Sequence, residues 1–196
     1  MRRTLDKYMT APWQVRALLA HQPIYGRILE PCVGDGSIAK VLRDTDMTGA
    51  RDVVTSDIDL TCRADYHGDA AFASIYETVG PVDASIYETV GPVDWVVTNP
   101  PYTMPTCTHI VEQAARHARV GVAMLLRISF REPTAKVHPR GPFLEAHPVS
   151  RVLTLSRYSF TQDGKTDSAT CEWLIWLKEP STQPPILSLY RADERY

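Results

Sequence analysis

The sequence predicts an α/β fold, a mostly parallel sheet with helices on both faces and an antiparallel hairpin at its C-terminal edge. Three observations predict it. Short apolar runs alternate along the chain with stretches that carry helix signals, the order that builds a parallel sheet covered on both sides. Runs such as Trp95-Val96-Val97 and Val122-Ala123-Met124-Leu125-Leu126 are apolar throughout, as strands buried on both faces must be. The last two runs are joined by Gly164 and polar neighbours, which suits a hairpin at the sheet edge.

Taken in order, Thr10-Ala11-Pro12 reads as a helix start, with Thr10 near the cap and Pro12 in the first turn. Trp13, Val15, Leu18 and Leu19 carry that helix to Ala20, and Pro23 ends it. Gly26–Glu30 is a short strand, followed by a turn at Pro31–Ser37 and a helix at Ile38–Leu42. Asp52–Asp57 is a second strand, and Val93–Thr98 another. A helix is expected over Thr106–Ala118 and a strand over Val120–Leu126. Val152–Leu155 and Cys171–Leu177 form the hairpin. Pro180, Pro184 and Pro185 then mark residues 181–196 as a loose tail. The 196 residues suit one catalytic domain, 1–180, with no separate recognition domain.

Composition narrows the function classes. No apolar stretch approaches a membrane span, and Met1–Lys7 lacks the apolar core of a signal peptide. The four cysteines, Cys32, Cys62, Cys107 and Cys171, are scattered without a C-x-x-C. They read as free thiols in a cytoplasmic protein, with no metal site expected. The net charge of −2 hides an asymmetry. Residues 44–94 hold eleven acids against Arg51 and Arg63, whereas residues 116–165 hold nine bases against Glu132, Glu145 and Asp163. One basic side is what an enzyme acting on a polyanion needs. Its candidates are Arg127, Arg131, Lys136, Arg140 and Lys165, with Phe143 as a wedge or stacking group.

Residues Ala73–Asp83 are repeated without change as Ala84–Asp94. Eleven residues are too few for a solenoid unit, so the copy reads as a duplication inside a surface connection, where added length costs little. The second copy leads directly into the Trp95 strand, and the first is expected to lie away from the chemistry.

The chemistry is expected at the carboxyl ends of the strands, where open α/β sheets bind ligands. Glu30 closes the first strand, and Gly34 and Gly36 stand in the turn after it, where backbone can approach a ligand closely. Asp57 ends the second strand and suits a ribose diol. The acidic tip disfavours pyrophosphate but suits an ammonium or sulfonium, and no G-x-x-x-x-G-K-[ST] is present. The most specific signal is Asn99-Pro100-Pro101-Tyr102 after the apolar Asp94–Thr98 run. Two prolines stop the strand and hold an extended tip. That tip offers a carboxamide, backbone carbonyls and an aromatic ring, a clamp for a planar group bearing an NH2.

In that order, Glu30-Pro31-Cys32-Val33-Gly34-Asp35-Gly36, Asp57, His67-Gly68-Asp69-Ala70 and Asn99-Pro100-Pro101-Tyr102 resemble the class I S-adenosylmethionine-dependent amino-methyltransferases. The DNA N6-adenine enzymes of small phage and prophage type are the nearest in kind. Arg157–Trp173 resembles their terminal hairpin, so the likeness covers most of residues 8–178. It implies a Rossmann-like fold with a seven-stranded sheet and S-adenosylmethionine as cofactor. Glu30 and Pro31 would then stand at the methionine amino group, with Gly34 and Gly36 along the cofactor. Asp57 would hold the ribose, Asp69 and Ala70 the adenine, and Tyr8 and Thr10 the methionine carboxylate.

An exocyclic adenine amine is a poor nucleophile, because its lone pair is delocalised into the ring. Acceptors on its two N–H bonds stabilise the charge developing in the transition state. The Asn99 oxygen and the Pro100 carbonyl would supply that pair, and Tyr102 would stack on a base flipped out of its duplex. The expected partner is DNA, with RNA as the alternative and no membrane. The chain is expected as a monomer or weak dimer in the cytoplasm of a bacterial or phage-infected cell. Rival readings are methylation of an RNA base amine or a protein glutamine, and a non-catalytic binding subunit. Arg131 and Arg140 are expected to carry the salt-dependent part of DNA binding.

Overall fold

The structure, a computed structural model, describes residues 9–44, 51–71, 86–132, 140–156, 170–182 and 185–189. The expected parallel strands are present as β1 (Gly26–Glu30), β2 (Arg51–Asp57), β4 (Val93–Thr98) and β5 (Ala118–Arg127), with a two-residue β3 (Tyr66–His67). The hairpin is β6 (Arg151–Leu155) and β7 (Cys171–Leu177). The sheet order is β3-β2-β1-β4-β5-β7-β6-β8, with β8 at Ile186–Leu189. β1 pairs parallel with β2 and β4, and β4 with β5, while β7 runs antiparallel between β5 and β6.

β8 corrects the expectation of a loose tail and raises the strand count from seven to eight. It pairs parallel with β6, Val152 opposite Ile186 through Leu155 opposite Leu189. The prolines that signalled looseness cannot donate to a ladder but can accept: the Val152 N–H donates to the Pro185 carbonyl at 2.7 Å.

Helices cover both faces. α1 (Pro12–His21) and α2 (Ser37–Leu42) lie on one, α3 (Ile86–Val90), α4 (Thr106–His117) and α5 (Arg140–Ala146) on the other. Successive strand residues feed the two cores in turn. Trp95, Val97, Ala123, Leu125, Trp173 and Ile175 pack with α1 and α2, whereas Val96, Val122, Met124, Leu126, Leu174 and Trp176 pack with α3 to α5. That is why the runs are apolar throughout. Gly121 allows the close approach of Trp95: a Cβ there would lie 2.7 Å from the indole ring.

α1 is tied across the sheet to the C-terminal hairpin. The buried Trp173 indole N–H donates to the Gln14 carbonyl at 2.8 Å. Arg151, fully buried, donates to the His21 carbonyl at 2.7 Å and to Gln22 Oε1 at 2.8 Å. A guanidinium at the last carbonyls of a helix also interacts favourably with the negative end of its dipole. The N-cap of α1 is Ala11, not Thr10; the Gln14 side chain reaches back to the Ala11 N–H at 2.8 Å.

Ile86, Tyr87, Val90 and Val93 of the second repeat copy are buried, and Asp94 accepts the Arg27 N–H at 2.8 Å. Residues 73–83, the first copy, lie outside the described residues.

Candidate functional site

The strand order reverses between β1 and β4, the switch point at which open α/β sheets form a ligand crevice. A cavity of about 660 Å³ opens there. It draws Thr10 from the segment before α1, Glu30, Pro31 and Gly34 from the β1 turn, and Asp57, Asp69 and Ala70 from beyond β2 and β3. Asn99 and Pro101 enter from the tip of β4. Nine of the residues singled out in the sequence thus share one wall-to-wall space. Gly36 is set back as the N-cap of α2, Pro100 is buried beneath the tip, and Tyr8 lies outside the described residues. Met9, Cys32 and Ile58 also line the cavity; the signal that could have found them is their place directly beside the predicted tips.

The acidic side is built from backbone turns. Gly34 and Gly36 have φ of +53° and +79°, values an L side chain rarely adopts. The turn they make lets the Gly34 N–H donate to Asp57 Oδ2 at 2.9 Å, while Asp57 Oδ1 accepts from the Asp59 N–H at 2.8 Å. Asp69 Oδ1 accepts from the Ala71 N–H at 2.8 Å. Glu30 is 1% exposed, and its Oε2 has no hydrogen-bond partner among the described residues. Burial holds its carboxyl well above the usual range, Asp35 and Asp57 push the same way, and the Ala39 backbone amide partly opposes them. Burial and Asp57 also drive the Cys32 thiol far up, so no thiolate is available there.

At the other wall, the Asn99 side-chain N–H donates to Thr10 Oγ1 at 3.0 Å. Tyr102 does not line the cavity: it is half-buried against the cores beside the tip, its hydroxyl 3.7 Å from Cys171 Sγ and its ring 5.2 Å from the Arg127 guanidinium. Burial, reinforced by Cys171, keeps the phenol well above its ordinary value. The ring is therefore a neutral aromatic surface beside a positive charge. The Cys107 thiol is pushed up to about 12 by burial and is no nucleophile.

The basic rim needs two corrections. Phe143 is 6% exposed and packs 6.0 Å from the Trp176 ring, so it is core and cannot act as a wedge or stacking group. Arg131 forks onto Glu172, Nε to Oε1 and Nη2 to Oε2, the latter at 3.0 Å. Glu172 is fully buried and also takes the Thr154 hydroxyl at 3.4 Å. Arg131 thus neutralises an internal carboxylate instead of facing a phosphate. Arg140 is half-buried, its guanidinium 5.6 Å from the Phe130 ring. Lys136 and Lys165 lie outside the described residues. Ile128, directly after Arg127, is exposed, with its backbone N–H donating to the Thr170 carbonyl at 3.1 Å.

Among the described residues no three His, Cys, Asp or Glu side chains gather as metal ligands, and no helix is long and apolar enough to cross a membrane. A hollow of about 800 Å³ between α4, α5 and the end of β7 collects neither the acidic turn nor the Asn99 tip.

The strand order, the terminal hairpin and the crevice at the β1–β4 switch are those of the Rossmann-like class I methyltransferase fold. Solved structures share it across nearly the whole chain. The M protein of the type I restriction enzyme EcoKI superimposes with a TM-score of 0.62 at 12% identity, over 94% of this chain and 48% of that one. A candidate RNA methyltransferase from Pyrococcus horikoshii gives 0.59 at 15%, over 88% and 87%. A candidate class I S-adenosylmethionine-dependent methyltransferase from Listeria monocytogenes gives 0.55 at 16%, over 93% of this chain and 63% of its own. The chain therefore spans about half of the M protein and under two thirds of the Listeria protein. No protein-family model matches the sequence, and no curated protein matches it.

Proposed function

We propose that this chain is an S-adenosylmethionine-dependent methyltransferase acting on the exocyclic N6 amine of adenine in DNA. One observation carries the reading. Asn99, on a proline-stiffened strand tip, lines the same cavity as the buried, half-satisfied Glu30 and the amide-fixed Asp57.

The residues present fit the donor. Glu30 Oε2 lacks a partner among the described residues, and an ammonium placed against it returns the interaction that burial removed. Asp57 spends one acceptor site of each oxygen on a backbone amide and retains others for a ribose diol. Asp69, with one oxygen on the Ala71 amide, keeps acceptor capacity for an adenine amine. S-adenosylmethionine supplies, when bound, an electrophilic methyl group on a sulfonium.

The chain supplies the rest. The Asn99 oxygen and the Pro100 carbonyl accept from the two N–H bonds of the acceptor amine, which stabilises positive charge developing on nitrogen. Tyr102 offers a neutral stacking surface worth roughly 1–3 kcal/mol to a base. The tip fixes the amine in line with the donor, and such positioning accounts for much of the remaining acceleration. Arg127 and Arg140 supply positive charge on the side from which a phosphate backbone would approach. Likeness to a restriction-enzyme M protein favours DNA; likeness to the Pyrococcus protein favours RNA as the second reading. The small phage and prophage enzymes that the motifs resemble are the kind of protein this reading describes.

The test is incubation of the purified chain with radiolabelled S-adenosylmethionine and separate DNA, RNA and protein acceptors, followed by nucleoside analysis. N6-methyladenine from DNA is expected. Label confined to RNA or protein reassigns the substrate. Asn99→Ala is expected to lower kcat about 100- to 1000-fold, as loss of one transition-state hydrogen-bonding group does, while still binding the donor. Full activity in that variant breaks the clamp.

A further inference from the structure

Two roles suggest themselves for Thr10 from sequence, a helix cap and a contact to the donor. The cap belongs to Ala11. Thr10 is 4% exposed, and its hydroxyl oxygen accepts from Asn99 Nδ2 at 3.0 Å across 89 residues of sequence.

That bond decides which end of the carboxamide meets a substrate. The terminal torsion of an asparagine is broad and nearly two-fold, so amide oxygen and amide nitrogen exchange places unless something outside the residue distinguishes them. The distinction is one of sign. An oxygen facing an amine accepts its proton and stabilises developing positive charge, whereas an NH2 facing it opposes both. A threonine hydroxyl can accept from Nδ2 or donate to Oδ1; here it accepts from Nδ2, and the oxygen is the end directed away from it. Thr10 is itself fixed, because it immediately precedes α1, which Trp173 and Arg151 tie to the hairpin through the Gln14 and His21 carbonyls.

We propose that Thr10 is the positioning residue of the acceptor clamp, its hydroxyl locking the Asn99 carboxamide with the oxygen toward the amine. This rests on the function proposed above for Asn99, and it gives Thr10 a task different from holding the donor's carboxylate.

Asn99 is the chain's only asparagine, so selective 15N-asparagine labelling gives a single side-chain NH2 in the spectrum. One of its two protons is expected to exchange slowly in the wild type. It should lose that protection in Thr10→Val, which keeps shape but removes the acceptor, and regain it in Thr10→Ser. In transfer assays Thr10→Val should lower kcat about tenfold or more at saturating donor, since a misdirected clamp group costs turnover. Donor Kd by calorimetry should stay within about twofold, and Thr10→Ser should restore turnover. A Thr10→Val protein with weaker donor binding and unchanged saturated kcat makes Thr10 a donor ligand and overturns the proposal. So does a labelled amide that does not respond to the substitution. A wild-type chain that binds donor yet methylates no acceptor breaks the proposed function instead, and the labelled amide then still decides whether Thr10 holds Asn99.

Discussion

Glu30 and Glu172 are both buried carboxylates at the same end of the sheet, Glu30 at the tip of β1 and Glu172 near the start of the antiparallel β7, opposite Leu126. Their surroundings differ. Glu172 receives a two-pronged guanidinium from Arg131 and a hydroxyl from Thr154. Glu30 has an oxygen with no partner among the described residues; burial and the carboxylates Asp35 and Asp57 outweigh the Ala39 amide and the Arg43 charge that act on it. A buried charge is tolerated when its hydrogen bonds are complete and is costly otherwise. Beside β5 and β7 the buried carboxylate is completed by side chains of the protein. The β1 tip leaves one incomplete at a cavity wall, as the cationic donor proposed for this site requires.

The largest expected effect breaks the completed pair. Arg131→Ala strands Glu172 without its cation, and removal of one partner from a buried pair costs about 3–5 kcal/mol. Arg131's side chain is 36% exposed, so water offsets part of this and about 3 kcal/mol is expected. For a chain of this size each kcal/mol moves Tm by roughly 2–4 °C, a shift that thermal unfolding resolves. A Tm unchanged from wild type would return Arg131 to the list of phosphate contacts.

Glu30→Gln is expected to act in the opposite direction on stability and to remove function. Burial raises the folded-state pKa of Glu30 above its ordinary value. A carboxyl raised in this way favours folding below its unfolded pKa, and that contribution is lost as pH rises toward the folded value. The neutral amide does not titrate, so Glu30→Gln should gain on the wild type as pH rises from about 4 to 8. Donor affinity should fall about 10- to 100-fold, the worth of one hydrogen bond to a charged group. Thermal unfolding across that pH range with calorimetric titration of S-adenosylmethionine checks both. Tm curves that stay parallel would mean that Glu30 already has an internal partner.

The same contrast explains what was legible in the sequence. Acid, two-glycine turn and Asn99-Pro-Pro-Tyr are local signals, each a strand followed by residues that cannot continue it, and their shared cavity follows from parallel topology. The crossovers, the terminal hairpin and both cores followed from the apolar runs. Pairings over long sequence distances were not legible: Arg131 with Glu172 across 41 residues, Thr10 with Asn99 across 89, and Arg151 with His21 across 130. A count of bases on one side of the chain includes Arg131 and Arg151, yet the first is paired inside and the second is fully buried. Phe143 was misread for the same reason, since an aromatic in a basic stretch resembles a stacking group until the ring of Trp176 is found against it. Prolines obscured β8, because strand signals count donors and Pro185 contributes an acceptor.

Arg140→Ala carries the smallest expected effect and sharpens the contrast most. Arg140 and Arg131 bear the same charge close to the same strand tip, but where Arg131 forks onto Glu172, the Arg140 guanidinium lies over Phe130 and reaches the Glu132 carbonyl at 3.5 Å. Its removal should change stability by no more than about 0.5 kcal/mol, as surface substitutions do. If Arg140 meets a phosphate, the slope of log K against log salt for DNA binding should shrink by about 1, with donor affinity unchanged. Fluorescence anisotropy with a labelled duplex at several salt concentrations measures that slope. An unchanged slope together with an unchanged Tm would place the phosphate path elsewhere on the rim, and the division between internally completed charges and those kept for ligands would then stop at the donor cavity.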